Sequence, residues 1–275
     1  MHIYIMTDLE SVAGVRDFPD WCVPDGRCYE QATRLLTLEV NAAIEGFAAA
    51  GATEFMVADG HGRGAIEIEL LDPRADMRRG WPQGWPLGLD DGGDYDYLAF
   101  VGQHAKAGTE FAHLAHTQGL NYIDLSVNGV SIGEFGQLAV CASELGLRTI
   151  FGAGDLAFTV EAQALVPGIE TVAVKRGLRP GSGDEMTTAQ YEHRNAAAVH
   201  VQPERARSMI CDGAERALRR AATDEFGIIP LQAPFERAAR FRPANEGDPT
   251  TIARETHPTS AIGMMNLPFD RQPEA

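Results

Sequence analysis

The feature that most constrains the fold is an alternation of short, β-branched runs with longer segments that carry an apolar stripe. Residues 2–8 and 53–59 are such runs, and between them Leu36, Val40 and Ile44 recur at helical spacing. The alternation continues through most of the chain. Strands separated by helices favour a parallel sheet, because a parallel connection needs a long crossover. The sequence therefore predicts an α/β fold with three layers: a largely parallel, mixed sheet and helices on both of its faces.

Side chains that can bind metal follow the predicted strands. Asp8 and Glu10 come after the first strand, and His61 comes after the second. His104 follows a further strand, and Glu134 follows a hairpin marked by an Asn-Gly pair. In open α/β sheets, ligands bind beyond the carboxyl ends of the strands, so these side chains are expected at one edge. Nitrogen and oxygen ligands together suit zinc, cobalt or manganese better than calcium.

The number of candidate ligands favours two metal ions over one. Three carboxylates and two histidines exceed what a single catalytic ion with an open position uses. If Asp8 bridges two ions, each ion obtains three protein ligands, which is the arrangement of co-catalytic hydrolases. Taken singly, each of these residues is more often a helix cap or a packing residue. Their joint placement is what favours a metal site.

Composition excludes several classes of function. Lys and Arg total 23 against 39 Asp and Glu, and the resulting formal charge of −16 repels nucleic acid and anionic membranes. No run of about 18 apolar residues is present, so no membrane span is expected. The four cysteines form no Cys-x-x-Cys pair, and the first residues lack the pattern of a signal peptide. The cytoplasm is therefore the expected compartment.

Three regions are predicted along the chain. Residues 1–176 form the catalytic, metal-binding α/β domain. Residues 177–242 form a smaller C-terminal lobe with a helix that begins near Pro203. Residues 243–275 contain five prolines and few apolar clusters, so an irregular, Pro-rich tail is expected there.

Five ordered motifs resemble those of the zinc-dependent D-aminopeptidases of the DppA type, a family of binuclear metallopeptidases. The motifs are TDLESVAGV (7–15), VADGHGRG (57–64), GQHAKAGT (102–109), AHT (115–117) and NGVSIGE (128–134). The resemblance extends from residue 2 to residue 175 and, more weakly, through residues 203–222. Five motifs in this order are far more specific than any one of them.

The resemblance implies a role for each metal-binding residue. It implies that Asp8 bridges two zinc ions, with manganese or cobalt as alternatives. Glu10 and His61 would complete one site. His104 and Glu134 would complete the other.

Three histidines lie in the run GQHAKAGTEFAHLAHT (102–117). The resemblance implies that the last of them, His116, acts on the substrate or on its attacking water. A histidine without a carboxylate beside it in its motif is free to carry a proton near neutral pH. His113, three residues earlier, is the rival for this role.

Several positions depart from the family's pattern. Ser11 stands where glycine is usual, so the backbone there is less free to adopt a positive φ. Gln103 replaces a frequent tyrosine beside a presumed ligand, where a change tunes the metal more often than it abolishes the site. Residues 178–194 look like an insertion.

Two further features have open roles. Trp81 and Trp85 lie in a Pro-rich loop that either borders a substrate pocket or packs the loop onto the fold or onto a neighbouring subunit. Lys175 ends a predicted strand, where it would meet a substrate carboxylate or an ion-pair partner inside the protein.

Residues and resemblance together predict a binuclear metal-dependent aminopeptidase that hydrolyses the N-terminal residue of short peptides, with D-residue peptides as candidates. One alternative is an amidase that uses the same metal pair on a non-peptide amide. Another is a non-catalytic oligomeric protein that keeps the metals as structural staples. The resemblance also implies a homo-oligomer, with a decameric ring as the candidate assembly.

Overall fold

A computed structural model describes residues 1–274, and its elements follow the predicted alternation for most of the chain. The strands are β1 (His2–Thr7), β2 (Glu54–Asp59), β3 (Ala75–Arg78), β4 (Tyr97–Gln103), β5 (Tyr122–Val127), β6 (Val130–Ser131), β7 (Arg148–Asp155), β8 (Glu170–Gly177), β9 (Ala198–His200), β10 (Phe235–Phe241), β11 (Thr251–His257) and β12 (Gln272–Pro273). The helices are α1 (Phe18–Trp21), α2 (Tyr29–Ala49), α3 (Glu134–Glu144), α4 (Leu156–Leu165), α5 (Thr188–Glu192), α6 (Pro203–Ala221) and α7 (Ala261–Met265). Within the described residues, no helix combines the length and apolarity needed to cross a bilayer.

Seven strands form the central sheet, in the order β3-β2-β1-β4-β7-β8-β9. Neighbouring strands are parallel except for β8 and β9, which are antiparallel. The predicted largely parallel, mixed sheet of an α/β fold is confirmed. Because β2, β1 and β4 are parallel neighbours, the residues that follow them meet at one edge of the sheet.

A hydrophobic core lies on each face of the central sheet. Alternate residues of β1 point to opposite faces, as the strand's period of two requires. Ile3 and Ile5 join the core covered by α2 and α6, whereas Tyr4 and Met6 join the core covered by α3 and α4. Burial of one such aliphatic side chain contributes about 1.5–3 kcal/mol, so both helical layers are held mainly by these cores.

A second sheet, which the sequence analysis did not predict, packs on the α3 side. Its order is β12-β11-β10-β5-β6, and every neighbouring pair is antiparallel. The hairpin between β5 and β6 turns at Asn128 and Gly129, both with positive φ, as the Asn-Gly pair predicted. Leu125 and Val127 of β5 lie in the same core as Phe135 of α3.

Residues 177–242 are divided between the layers, which differs from the separate lobe expected for them. β9 extends the central sheet, α6 packs on α2, and β10 joins the second sheet. The apolar stripe of α6, with Ile210 and Ala214, is buried in the core beside α2. Gly46 of α2 permits this approach, because a Cβ there would lie 2.1 Å from the Cys211 carbonyl oxygen. The division of the chain into independently folding domains stays a prediction.

The C-terminal region also differs from the irregular tail expected for residues 243–275. Within its described part it contains β11, α7 and the edge strand β12. Most of the prolines that suggested irregular structure lie between these elements: Pro243, Pro249, Pro258 and Pro268. Proline at such positions removes no ladder hydrogen bond, so it is compatible with the strands that flank it.

Candidate metal centre

The candidate site lies where the neighbouring strands β2, β1 and β4 end. His61, Asp8 and His104 follow these strands by one or two residues. Gly102 permits a close approach between β4 and β1: its φ is +79°, and a Cβ there would lie 1.9 Å from the Asp8 carbonyl oxygen. Glu134 reaches the same place from the first residue of α3. The fold thus brings the predicted ligands together from four separate segments.

The ligand atoms form two groups that share Asp8. In the first group, His61 Nδ1 lies 3.1 Å from Asp8 Oδ1 and 3.1 Å from Glu10 Oε2. In the second, His104 Nε2 lies 3.1 Å from Asp8 Oδ2 and 3.5 Å from Glu134 Oε1. Ligands about 2.0–2.1 Å from a tetrahedral zinc ion are about 3.3 Å apart, and each histidine nitrogen lies at about this distance from both carboxylates of its group. One carboxylate oxygen of Asp8 faces each group.

Hydrogen bonds to backbone carbonyls orient both histidines. His61 Nε2 donates to the Cys22 carbonyl oxygen at 2.8 Å, and His104 Nδ1 donates to that of Ala105 at 2.9 Å. The ring nitrogen that remains on each histidine points at the carboxylates. Such a bond to the outer nitrogen is the usual way in which a metal-binding histidine is fixed in one tautomer.

Unpaired polar atoms and pKa directions indicate that the cluster suits cations. Glu10 Oε2 and His104 Nε2 are buried, and within the described residues neither has a hydrogen-bond partner. Burial alone would lower the pKa of His61, but Glu10 and Asp8 raise it to about 12. Burial alone would raise the pKa of Asp8, yet His104 and His61 hold it well below its ordinary value. These directions share a cause: buried carboxylates need positive charge, which protons or metal ions supply.

The departures from the family's pattern at Gln103 and Ser11 are both accommodated beside Asp8. Gln103 Nε2 donates to Asp8 Oδ2 at 3.1 Å, while the Leu9 N–H donates to Asp8 Oδ1 at 2.8 Å. Both oxygens are therefore held in place. Ser11 does not adopt a positive φ, and its N–H donates to the Gly102 carbonyl oxygen at 3.0 Å. The backbone of this structure thus makes no demand for glycine at position 11.

His116 faces the cluster, and His113 does not. The ring of His116 stacks on that of His104, with centroids 4.0 Å apart, and its Nε2 lies 3.7 Å from Glu134 Oε1. Its Nδ1 donates to the Leu114 carbonyl oxygen at 2.9 Å, which leaves Nε2 free. His113 instead contacts the Arg16 carbonyl oxygen at 3.0 Å, and burial lowers its pKa to about 2.

The loop that carries His116 holds an unusual backbone conformation. Three non-glycine residues of this loop have positive φ: Phe111 (55°), Leu114 (53°) and Gln118 (60°). Each such residue costs of the order of 1 kcal/mol, and such strain concentrates at functional sites. The Gln118 N–H donates to Glu134 Oε1 at 2.6 Å, so the strained loop is tied to a predicted ligand.

An open cavity of about 540 Å³ gives access to the cluster. His116 and four of the five predicted ligands line it; His104 is buried beside them. Trp81 and Trp85 also line it. Sequence reasoning missed other lining residues, among them Phe18, Phe100, Gln118 and Leu138. Leu138 follows Glu134 by one helical turn, so its spacing could have identified it.

Comparison with known proteins gives the family. The family model described as D-aminopeptidase matches residues 1–262. The chain belongs to the D-aminopeptidase family. Among curated relatives, a D-aminopeptidase of Bacillus subtilis (strain 168) is 32% identical over 180 residues, an alignment that covers 64% of this chain and 64% of the relative.

The fold of this D-aminopeptidase family member is also similar to a solved structure. That structure is described as "Zn-dependent D-aminopeptidase DppA from Bacillus subtilis, a self-compartmentalizing protease". The TM-score is 0.79 at 22% identity, and the match covers 96% of this chain and 94% of the other. The family resemblance inferred from the five motifs is confirmed. The roles of the individual ligands and of His116 stay predictions.

A buried lysine holds the loop that carries Glu10. Lys175 Nζ donates to the carbonyl oxygens of Glu10 and Val15, at 3.1 Å for Val15. It contacts backbone inside the protein and does not line the cavity, and burial lowers its pKa to about 8. Asp155, at the end of β7, caps α4 by accepting a hydrogen bond from Phe158 N at 2.7 Å.

The carboxyl group of Glu39, which is near Lys175, is expected to make the stability of the fold depend on pH. Glu39 accepts a hydrogen bond from Ala13 N at 2.9 Å, and burial raises its pKa to about 8. The folded protein then keeps a proton that the unfolded chain loses above about pH 4.5, so this group's stabilisation falls as pH rises towards 8. Glu39→Gln removes that dependence. The free energy of unfolding of this variant, relative to that of wild type, is expected to rise by on the order of a few kcal/mol between pH 5 and pH 8.

Thermal unfolding of both proteins at the two pH values measures this gain. Glu30→Gln, on the exposed side of the same helix, is the matched control and should show a constant difference from wild type. A Glu39→Gln difference that is equally constant with pH would mean that Glu39 is ionised in the folded protein.

Proposed function

We propose that this member of the D-aminopeptidase family uses two zinc ions to remove the N-terminal residue from short peptides. Asp8 would be shared by both ions, Glu10 and His61 would complete one site, and His104 and Glu134 the other. The observation that carries the proposal is that His61 and His104 each lie at zinc-like distances from two carboxylates, and that Asp8 is one of the two in both cases. A relative described as Zn-dependent supports the choice of metal, with manganese and cobalt as alternatives.

The chain's own residues supply orientation and proton transfer. When bound, the two ions would contribute Lewis-acid polarisation of the scissile carbonyl and would acidify a water molecule. His116 Nε2 faces the cavity, where it can take a proton from the attacking water and return it to the leaving amine. The Leu114 carbonyl fixes the ring so that Nε2, and not Nδ1, is presented.

The substrate class follows from the family and the cavity. A cavity of about 540 Å³ is large enough for a short peptide. The family's description as D-aminopeptidase supports a first residue of D configuration. Substrate stereochemistry and length are part of the proposal.

Metal removal is the direct test. Amine release from a panel of D- and L-configured dipeptides, tripeptides and amino-acid amides is measured with zinc, manganese or cobalt and with a chelator. We expect release from D-first peptides, its loss by at least about a thousandfold after chelation, and its recovery when zinc returns, because the ions would supply both the polarisation of the carbonyl and the acidification of the water.

The other outcomes separate the alternatives. Release only from non-peptide amides would replace the aminopeptidase with an amidase that uses the same metal pair. If no amide is cleaved while two metal ions stay bound, and the chelator lowers the melting temperature sharply, the metals are structural staples and the proposal fails.

We also propose that the protein forms a ring-like homo-oligomer, with ten subunits as the candidate size, and that it works in the cytoplasm. A relative described as a self-compartmentalizing protease supports an assembly. The formal charge of −16 supports a small-molecule substrate over nucleic acid or a membrane surface. Light scattering gives the mass of the assembly directly, and a monomeric mass would contradict the ring.

A further inference from the structure

Part of the cavity wall beyond the metal ligands is apolar. It is formed by β1, β4, α3 and the loop at residues 80–89, and we call it the apolar wall. Its members are Met6, Trp81, Trp85, Leu87, Phe100 and Leu138. These six side chains offer no charged group to a substrate, although Thr7, Arg63, Gln103 and Gln118 also line the cavity.

The two tryptophans are held in place by the rest of the protein. Trp81 Nε1 donates to the Leu87 carbonyl oxygen, which also accepts the Tyr4 hydroxyl at 2.5 Å. The Trp85 backbone is fixed at both polar groups, because its N–H donates to Asn266 Oδ1 at 3.1 Å and its carbonyl accepts from Asn266 Nδ2 at 3.0 Å. The loop is therefore tied to β1 on one side and to the end of α7 on the other, and this part of the wall is preorganised.

Neither tryptophan is fully buried in the core. Trp81 and Trp85 pack against the core on the α3 side, but both stay half-buried and border the cavity. The loop therefore both packs onto the fold and borders the cavity. An apolar group in the cavity would cover indole surface that water now contacts, which is favourable in proportion to the area covered.

The position of the apolar wall indicates which part of the substrate it would contact. It begins at Leu138, one helical turn from Glu134, so it borders the second group of ligand atoms. In an aminopeptidase the reacting carbonyl and the free amine are attached to the same Cα. The side chain closest to the metal cluster is therefore that of the first residue.

We propose that the apolar wall binds the side chain of the substrate's first residue, and that this protein favours peptides whose first residue is large and apolar over peptides that begin with alanine. The inference rests on the proposed aminopeptidase function and specifies its substrate. Trp85 and Trp81 are assigned as specificity-determining residues. An extra few methylene groups in such a pocket raise kcat/KM by about tenfold or more.

The test compares peptides that differ only in the first residue. Values of kcat/KM are measured for alanine-, leucine- and phenylalanine-first dipeptides of the configuration that the enzyme cleaves. In wild type, we expect the phenylalanine- and leucine-first peptides to exceed the alanine-first peptide by about tenfold. Trp85→Ala and Trp81→Ala are each expected to reduce that ratio by about tenfold, mainly through KM. Gln83→Ala, an exposed residue of the same loop that does not line the cavity, should keep the wild-type ratio.

Each outcome has one meaning. If wild type releases amine but prefers alanine, or if both tryptophan variants keep the wild-type ratio, the inference is wrong while the aminopeptidase stands. If wild type releases no amine from any peptide, the proposed function itself has failed. A ratio is insensitive to the fraction of folded enzyme, so partial misfolding of one variant does not obscure the result. Peptides of the type Ala-Phe, with the large side chain in second place, show no gain if the wall binds the first side chain, and a gain confined to them would overturn the assignment.

Discussion

Replacing Asp8 with alanine is expected to remove both zinc ions and to lower kcat/KM by at least about a thousandfold. The reason is that its two carboxylate oxygens belong to different groups of ligand atoms: Oδ1 faces His61 and Oδ2 faces His104, each at 3.1 Å. Zinc per chain, measured by elemental analysis, and amine release from a cleaved peptide are the two readouts.

Variants of the other carboxylates make this prediction quantitative. Glu10→Ala and Glu134→Ala each remove a ligand from one group only, so each is expected to lose about one zinc ion per chain and keep the other. Asp90→Ala, which replaces an exposed aspartate that does not line the cavity, should keep both ions and full activity. If Asp8→Ala still binds two zinc ions, Asp8 does not bridge, and the division of ligands proposed here is wrong.

The parallel part of the fold could be predicted because its signals are local. Each strand of the central sheet that was predicted is a short, mainly apolar run, and the long covering helices carry an apolar stripe, so period and turn residues identify them. The second sheet has weaker signals. In β10, Arg237 occupies a buried position paired with Glu255 of β11 at 3.0 Å, so its inward face is not uniformly apolar. Its pairing with β5 joins segments that are far apart in the chain, which no local pattern shows.

The candidate site was predictable to the extent that it depends on sheet topology. Asp8, His61 and His104 follow neighbouring parallel strands, so their convergence follows from strand order. Orientation could not be predicted in the same way. Which nitrogen of His61 faces the carboxylates depends on a hydrogen bond to the Cys22 carbonyl, from a loop with no recognisable pattern. The choice between the two histidines of the strained loop likewise depends on backbone angles that the sequence does not specify.

The second large effect is expected at His116. Replacing it with alanine should lower kcat by about a hundredfold to ten-thousandfold, the range typical of general acid–base catalysis, while both zinc ions stay bound. The physical reason is the free Nε2, which faces the cavity beside Glu134 and is held there by the bond from Nδ1 to the Leu114 carbonyl. Turnover, zinc per chain and the pH dependence of kcat are measured together. His193→Ala, which replaces an exposed histidine remote from the cavity, is the matched control and should change none of them.

Zinc content decides which role His116 has. Ligand atoms of His104, His116 and Glu134 all lie within 4.8 Å of one another, so His116 is close enough to complete the second group instead of carrying protons. If His116 carries protons, its replacement leaves two metal ions per chain and lowers kcat. If His116 is a ligand, its replacement lowers the metal content towards one ion per chain, as is expected for Glu134→Ala. Unchanged turnover would remove His116 from the mechanism altogether, and proton transfer would then have to come from the carboxylates predicted to bind metal, since His113 is buried against the Arg16 carbonyl and does not line the cavity.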